Sequence, residues 1–164
     1  MRLFTRADRT IASELAAVLG HPVDVLAHGE GDDGVVLAGA RSHLALRRDG
    51  AWQAWPWERI KGGAWRSEEQ EFRWSTLTGE DFEVRLTTVH RLPELFRERV
   101  QASTVAEESF DVPGGTIQLV GRRAPGGDGE VSFYAVPRGR VSLDDEPIRR
   151  FVVEQTDRLR AELP

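Results

Sequence analysis

All five tryptophans of this 164-residue chain lie within one short stretch, from Trp52 to Trp74. Between these two lie Trp55, Trp57 and Trp65. A buried tryptophan removes a large apolar area from water, so the stretch predicts where much of the core lies. We expect Trp57 and Trp74 to be buried. Core packing is the favoured role of the tryptophans, with at most one or two of the five exposed. Trp52 or Trp55, which flank a proline at a predicted sheet edge, are the first candidates for exposure and for stacking a ligand.

The composition excludes several classes of function. Apolar residues make up 40% of the chain and charged residues 30%, which predicts a packed core. The formal net charge of -5 argues against a general nucleic-acid binder. The absence of cysteine excludes disulfides, zinc–thiolate sites, iron–sulfur clusters and thiol catalysis, and it fits a reducing cytoplasm. No signal peptide and no apolar run of about 18 residues is found, so we expect a cytoplasmic protein without a membrane span.

The hydrophobic pattern up to residue 103 predicts one helix, seven short strands and a second helix. Helical spacing of apolar residues covers residues 5–19 and residues 92–100. Between them, strand-like segments are separated by turn residues, and the segment that contains Pro56 is expected to be short, bent or at a sheet edge. The predicted strands are 23–27, 35–38, 44–46, 52–60, 64–66, 72–76 and 82–86.

The remaining residues predict a β-β-β-α appendage. Strands are expected at 105–112, 116–123 and 131–136, followed by a loop over 137–143 and a helix capped by Asp144 or Asp145. The predicted organisation is an N-terminal helical segment (1–21), a module (22–103) and the appendage (104–164). The outer strands, 105–112 and 131–136, would leave unpaired backbone. We therefore expect docking of the appendage in cis or on a second copy, and a symmetric homodimer is the favoured outcome.

The order of seven short strands and one amphipathic helix resembles a bacterial pleckstrin-homology-like (PH-like) domain, within a family of proteins from high-GC bacteria. The likeness depends on a Pro-Trp-x-x-Ile element at residues 56–60, which is followed by a strand that bears Trp65. The segment at 122–129 is similar to one in that family. The resemblance implies a mostly β, α+β fold: a bent antiparallel sheet or barrel capped by the 92–100 helix. The further residues that carry the likeness are 44–46 and the strands around Phe72 and Phe82.

The first hairpin loop argues against phosphoinositide binding. In PH-like domains that bind these lipids, basic residues of this loop hold the phosphates, as the resemblance implies. Here the loop is 29–34, and it carries Glu30, Asp32 and Asp33 but no basic residue. Three carboxylates repel a polyphosphate, so we expect no phosphoinositide partner. The spacing also lacks the further ligands of an EF-hand-type calcium loop.

No catalytic, metal-binding or cofactor-binding motif occurs in the chain. The four histidines are scattered, and the glycine-rich segment 126–129 predicts a hairpin turn, not a phosphate cradle. Two arginine pairs face each other across the predicted hairpin as a small anion site, or they form an ordinary solvated surface. The candidate binding residues are therefore Trp52, Trp55, Arg122, Arg123, Arg138 and Arg140.

These observations favour a non-enzymatic PH-like module that acts through contacts with an unidentified protein partner. The alternative is an enzyme or small-ligand-binding protein with a site between module and appendage, because a crevice between packed units is a common ligand location. In that alternative Arg122, Arg123 and a histidine form the site.

Overall fold

The computed structural model describes residues 5–164, and the chain divides into two compact units, Met1–Ala102 and Ser103–Pro164. Strands predominate and form three antiparallel sheets, accompanied by three α-helices. This arrangement confirms the expectation of a mostly β, α+β protein. Within the described residues, no helix has the length and apolarity needed to cross a membrane.

The first unit begins with α1 (Arg6–Leu19), which is followed by a four-stranded sheet and then a three-stranded sheet. Each sheet is a meander, because strands adjacent in the chain pair with one another. The first sheet contains β1 (Val25–Glu30), β2 (Val36–Ala40), β3 (His43–Arg48) and β4 (Ala51–Pro56). The second sheet contains β5 (Ile60–Arg66), β6 (Glu71–Thr76) and β7 (Asp81–Arg85).

The two sheets meet at one corner and separate at the other, so they do not form a closed barrel. At the closed corner, the backbone of Glu30 in β1 exchanges hydrogen bonds with Thr87 and Thr88, just after β7. At the opposite corner β4 and β5 are consecutive in the chain but are not paired. The second sheet therefore has β5 as a free edge.

The predicted strand 52–60 is wrong in its second half. β4 ends at Pro56, and a single 3-10 turn, Trp57–Arg59, leads into β5. Proline has no N–H to donate to a ladder, and the turn directs the Trp57 side chain inward. The sequence also predicts a break or a bulge at Gly62 and Gly63. The bulge is what forms, because β5 runs through both glycines with a shift of register between Ile60 and Gly62.

The helix α2 (Leu92–Ala102) packs against strands of both sheets, β1, β2 and β5. Two glycines allow this close approach. A Cβ atom on Gly39 of β2 would lie 2.6 Å from Leu95 Cδ2, and one on Gly63 would lie 2.8 Å from Phe96 Cζ. Both distances are too short for a real Cβ atom. The helix can therefore pack this closely only because both strand positions are glycine.

The tryptophan-rich stretch forms the main core, as predicted. Trp57 and Trp74 are 0% and 2% exposed. Trp74 stacks on Phe82, and Trp57 packs edge-on against Phe96 of α2. On the other face of the first sheet, α1 covers a smaller cluster. Its members are Ile11, Leu15, Val25, Val36, Ala38 and Ala45.

The second unit is a three-stranded meander with one helix. Its strands are β8 (Thr104–Val112), β9 (Gly115–Arg122) and β10 (Ser132–Gly139), and its helix is α3 (Glu146–Glu162). β9 lies in the middle, so the predicted edge strands are confirmed. The predicted loop 137–143 starts too early, because β10 continues through Pro137 to Gly139. An edge strand tolerates proline where its missing N–H would face outward.

Two tryptophan-to-phenylalanine substitutions should separate packing from hydrogen bonding. The Trp57 indole donates a hydrogen bond to the Ala40 carbonyl at 2.8 Å, whereas Trp74 Nε1 has no hydrogen-bond partner within the described residues. Trp57→Phe leaves the buried Ala40 carbonyl without its hydrogen-bond donor. It should therefore lower the unfolding free energy by about 1–3 kcal/mol more than Trp74→Phe does. Alanine at either position should cost about 3–5 kcal/mol.

Urea unfolding measures these differences, provided that the unfolding free energy of each variant depends on urea concentration with the same slope. A Trp74→Phe variant that is less stable than Trp57→Phe would contradict the assignment of the hydrogen bond. Alanine variants with an unchanged unfolding midpoint would contradict the core role of both tryptophans.

Candidate functional site

The structure separates the two candidate tryptophans of β4. Trp55 is only 7% exposed, and it packs on Trp74 and Phe82. Of the two candidates for exposure, Trp55 is therefore excluded, because alternation along β4 turns it towards the main core. Trp52 is half-buried, and its indole N–H donates to Glu14 of α1 at 2.9 Å.

The arginine pairs of the second unit do not meet. Arg122 pairs with Ser132 and Arg138 pairs with Thr116, so the two lie six residues apart along the hairpin, about 20 Å. Arg122 is 1% exposed and its Nε donates to Ser103 Oγ at 2.8 Å, whereas Arg138 and Arg140 are exposed. The predicted patch across the hairpin is therefore wrong. Arg123 is half-buried, and its backbone N–H donates to the Ser103 carbonyl.

Glu14, Arg47 and Trp52 form a polar network that attaches α1 to the first sheet. Glu14 accepts from Arg47 Nη1 at 2.8 Å, and the Arg47 guanidinium also lies over the Trp52 ring. The Trp52 hydrogen bond lowers the pKa of Glu14 below its ordinary value; burial opposes this shift, and Arg47 adds to it. Trp52 therefore has a structural role.

A second polar cluster lies at the start of α1. Asp8 is buried and forms a capping box with Thr5. Its Oδ1 lies 3.0 Å from Nδ1 of His28, whose Nε2 lies 3.3 Å from Glu30 Oε1. Residues around this cluster line a cavity of about 210 Å³ that also contains His90. The imidazole of His28 thus lies between two carboxylates.

The four histidines form two pairs in space. The rings of His21 and His43 are 6.4 Å apart, and those of His28 and His90 are 6.1 Å apart. Burial lowers the pKa of His43 below its ordinary value. Within residues 5–164, no group of three or more histidine or acidic side chains is placed to bind a metal ion.

An open surface feature with aromatic side chains at its floor runs between β5 and α2. It is a groove of about 560 Å³. Trp65 of β5 is half-buried in its wall, and the rings of Phe72 and Phe96 lie beneath. Pro93, Glu94 and Arg97 of α2 form the opposite side. The free edge of β5 runs along this groove.

No protein-family model, curated protein or solved structure matches this chain. The site must therefore be judged by its own geometry. Sequence reasoning missed the groove, the Glu14 network and the Asp8–His28 pair. The spacing of Thr5 and Asp8 is a capping-box signal and could have placed Asp8 at the helix start. No local signal connects Asp8 with His28, which lies 20 residues away.

Glu14 should give the stability of the protein a measurable pH dependence. Its folded-state pKa lies below the unfolded value of 4.5. The contribution is therefore present above pH 4.5 and is lost as the pH falls through the folded pKa. Glu14→Gln should lower the unfolding free energy at pH 7 by up to about 1 kcal/mol, because the group is partly exposed. The difference should shrink as the pH falls below 4.5.

Urea unfolding of both proteins at pH 7, 5 and 3 measures this effect. Glu154→Gln changes an exposed carboxylate without an ion pair in the described part of the chain, and it should leave stability unchanged at each pH. A Glu14→Gln difference that persists undiminished at pH 3 would contradict the electrostatic origin.

The first hairpin loop should not bind phosphoinositides. β1 extends to Glu30, so the loop is shorter than predicted, but Glu30, Asp32 and Asp33 are all exposed. Liposome sedimentation at physiological salt should detect no binding, because like charges repel. Binding that falls with added salt would contradict this and would direct attention to Arg138 and Arg140.

Proposed function

We propose that residues 22–103 form a cytoplasmic PH-like module that acts through protein contacts, and that it binds an extended peptide along the free edge of β5. The element order supports the PH-like part: a four-stranded and a three-stranded antiparallel meander are followed by α2. The absence of cysteine supports a reducing compartment. The partner is a protein that presents a strand.

The free edge of β5 is the observation that carries the proposal. Among the described strands β5 pairs with β6 alone, so the outward backbone groups from Lys61 to Arg66 are available to another strand. Lys61, Gly63, Ala64 and Arg66 are exposed along it. An extended peptide gains affinity from main-chain hydrogen bonds to such an edge, and it gains specificity from pockets for alternate side chains.

The other edges are poorer templates for an added strand. β4 ends in Pro56, and β10 contains Pro137, so each lacks a backbone donor. β8 carries the carboxylates of Glu107, Glu108 and Asp111. The corner after β7 is occupied by the backbone bonds to β1. β5, in contrast, lies beside the groove that Trp65, Phe72 and Phe96 line.

An enzyme or a small-ligand-binding protein is the second candidate. The cavity beside Asp8 and His28 favours it, because paired histidines and carboxylates are common in acid–base chemistry. It is the weaker candidate, since both ring nitrogens of His28 already face carboxylates. A proton acceptor needs one of these nitrogens to face a substrate.

Peptide selection tests the proposed function without assuming a sequence. A random nonapeptide library displayed on phage is selected on the full chain, and synthetic versions of enriched peptides are measured by fluorescence anisotropy. Trp65→Ala should weaken their binding at least about tenfold, because it removes the groove wall. Trp52→Ala, the matched change at the other half-buried tryptophan, should leave their affinity unchanged.

The indole N–H signals of the five tryptophans locate the bound peptide. In ¹⁵N-correlated spectra the Trp65 signal should shift on binding and the Trp52 signal should not. Selected peptides that leave the Trp65 signal in place, or that bind Trp65→Ala with wild-type affinity, would contradict binding at this edge.

A further inference from the structure

We infer that the β5 edge selects an acidic extended segment that places one apolar side chain in the groove beside α2. This inference rests on the proposed function and adds the chemistry of the partner. Two observations support it. The side chains of β5 alternate between the two faces of the second sheet, and several charged side chains near β5 make no ion pair within the described residues.

The two faces of β5 differ in chemistry. Gly63 and Trp65 lie opposite the buried Trp74 and Phe72, so they belong to the inner face, towards α2. Ala64 and Arg66 lie opposite the exposed or half-buried residues of β6 and belong to the outer face. A strand added to β5 would alternate in the same way. Successive side chains of the partner therefore meet an apolar and a polar surface in turn.

Phe96 fills the space over Gly63 itself, but the open groove next to Gly63 has room for an apolar side chain of a partner. A partner side chain opposite Gly63 enters the groove between the rings of Trp65 and Phe96. Burial there removes apolar surface of both chains from water, which favours an aliphatic or aromatic anchor.

The unpaired charges on β5 itself and in the lining of the groove are mostly positive. Lys61 and Arg66 of β5 and Arg97 of α2 are exposed, and they make no ion pair within the described residues. Glu94 is the single carboxylate that lines the groove. On the outer face, Arg73 is already paired with Glu71 and Glu83.

Carboxylates on the partner therefore complement three cations, although the whole chain carries a net charge of -5. Glu68 and Glu69 follow Arg66 in the β5–β6 turn, so the cationic part of the edge runs from Arg66 towards Lys61. Between Lys61 and Arg66, a basic segment would gain Glu94 as a partner, and it would meet Glu68 and Glu69 only beyond the end of the strand. Charge complementarity of this kind determines specificity more than total affinity.

Three synthetic heptapeptides test the inference. The first alternates glutamate with valine around a central phenylalanine. The second replaces every glutamate by lysine, and the third replaces the phenylalanine by serine. By fluorescence anisotropy at low salt, the first should bind at least about tenfold more tightly than either of the others. Its advantage over the lysine peptide should shrink at about 0.5 M salt, because salt screens exposed charges.

Reversing the charges on β5 tests whether the peptide binds at this edge. Lys61→Glu combined with Arg66→Glu should remove or invert the preference for the glutamate peptide. Arg138→Glu combined with Arg140→Glu makes the same change in net charge in the second unit and should leave the preference intact. Lys61 is the single lysine of the chain, so bound glutamate peptide should also slow acylation of Lys61 several-fold.

The outcomes separate this inference from the proposed function. If library-selected peptides shift the Trp65 indole signal but show no preference for glutamate over lysine, the inference is wrong and binding at the edge stands. A glutamate preference that survives Lys61→Glu with Arg66→Glu would also overturn it. If no peptide shifts the Trp65 signal, both are wrong.

Discussion

The buried indole of Trp57 determines the shape of the first unit. It lies at the point where β4 ends and the chain turns into the second sheet. Its N–H donates to the Ala40 carbonyl at the end of β2, and its ring packs edge-on against Phe96 of α2 at 5.6 Å. One side chain thereby connects the first sheet, the turn and the helix. A residue without both a large ring and a donor would leave one of these contacts unmade.

The open corner follows from this anchor. Because Pro56 ends β4 and Trp57 turns inward, β5 departs from β4 instead of pairing with it. The space left between the sheets is covered by α2, which approaches closely only because Gly39 and Gly63 carry no side chain. The groove and the free edge are thus two consequences of one packing arrangement. A closed barrel would have neither.

Free edges also bear on self-association, and the charges here oppose simple edge-to-edge pairing. Antiparallel pairing of β8 with its own copy would bring Glu107, Glu108 and Asp111 of the two chains together. Pro137 removes one backbone donor from the edge of β10, and Lys61 lies on β5. Edge lysines and prolines are common protections against aggregation. A symmetric homodimer stays a prediction, and it would need a surface other than these strand edges.

Local pattern in the sequence was enough to predict the helices, most of the strands, the burial of Trp57 and Trp74 and the edge strands of the second unit, but not the turn at Trp57 that ends β4. Alternation and helical spacing record which face of an element is buried, and that information is local. Tertiary structure alone decided that Trp55 is buried, that Arg122 and Arg138 lie at opposite ends of a hairpin, and that Asp8 meets His28. Those facts depend on strand register and on the path of the chain between elements. The groove beside β5 belongs to the same class, because it exists only where the turn at Trp57 separates two sheets that a sequence pattern cannot place relative to each other.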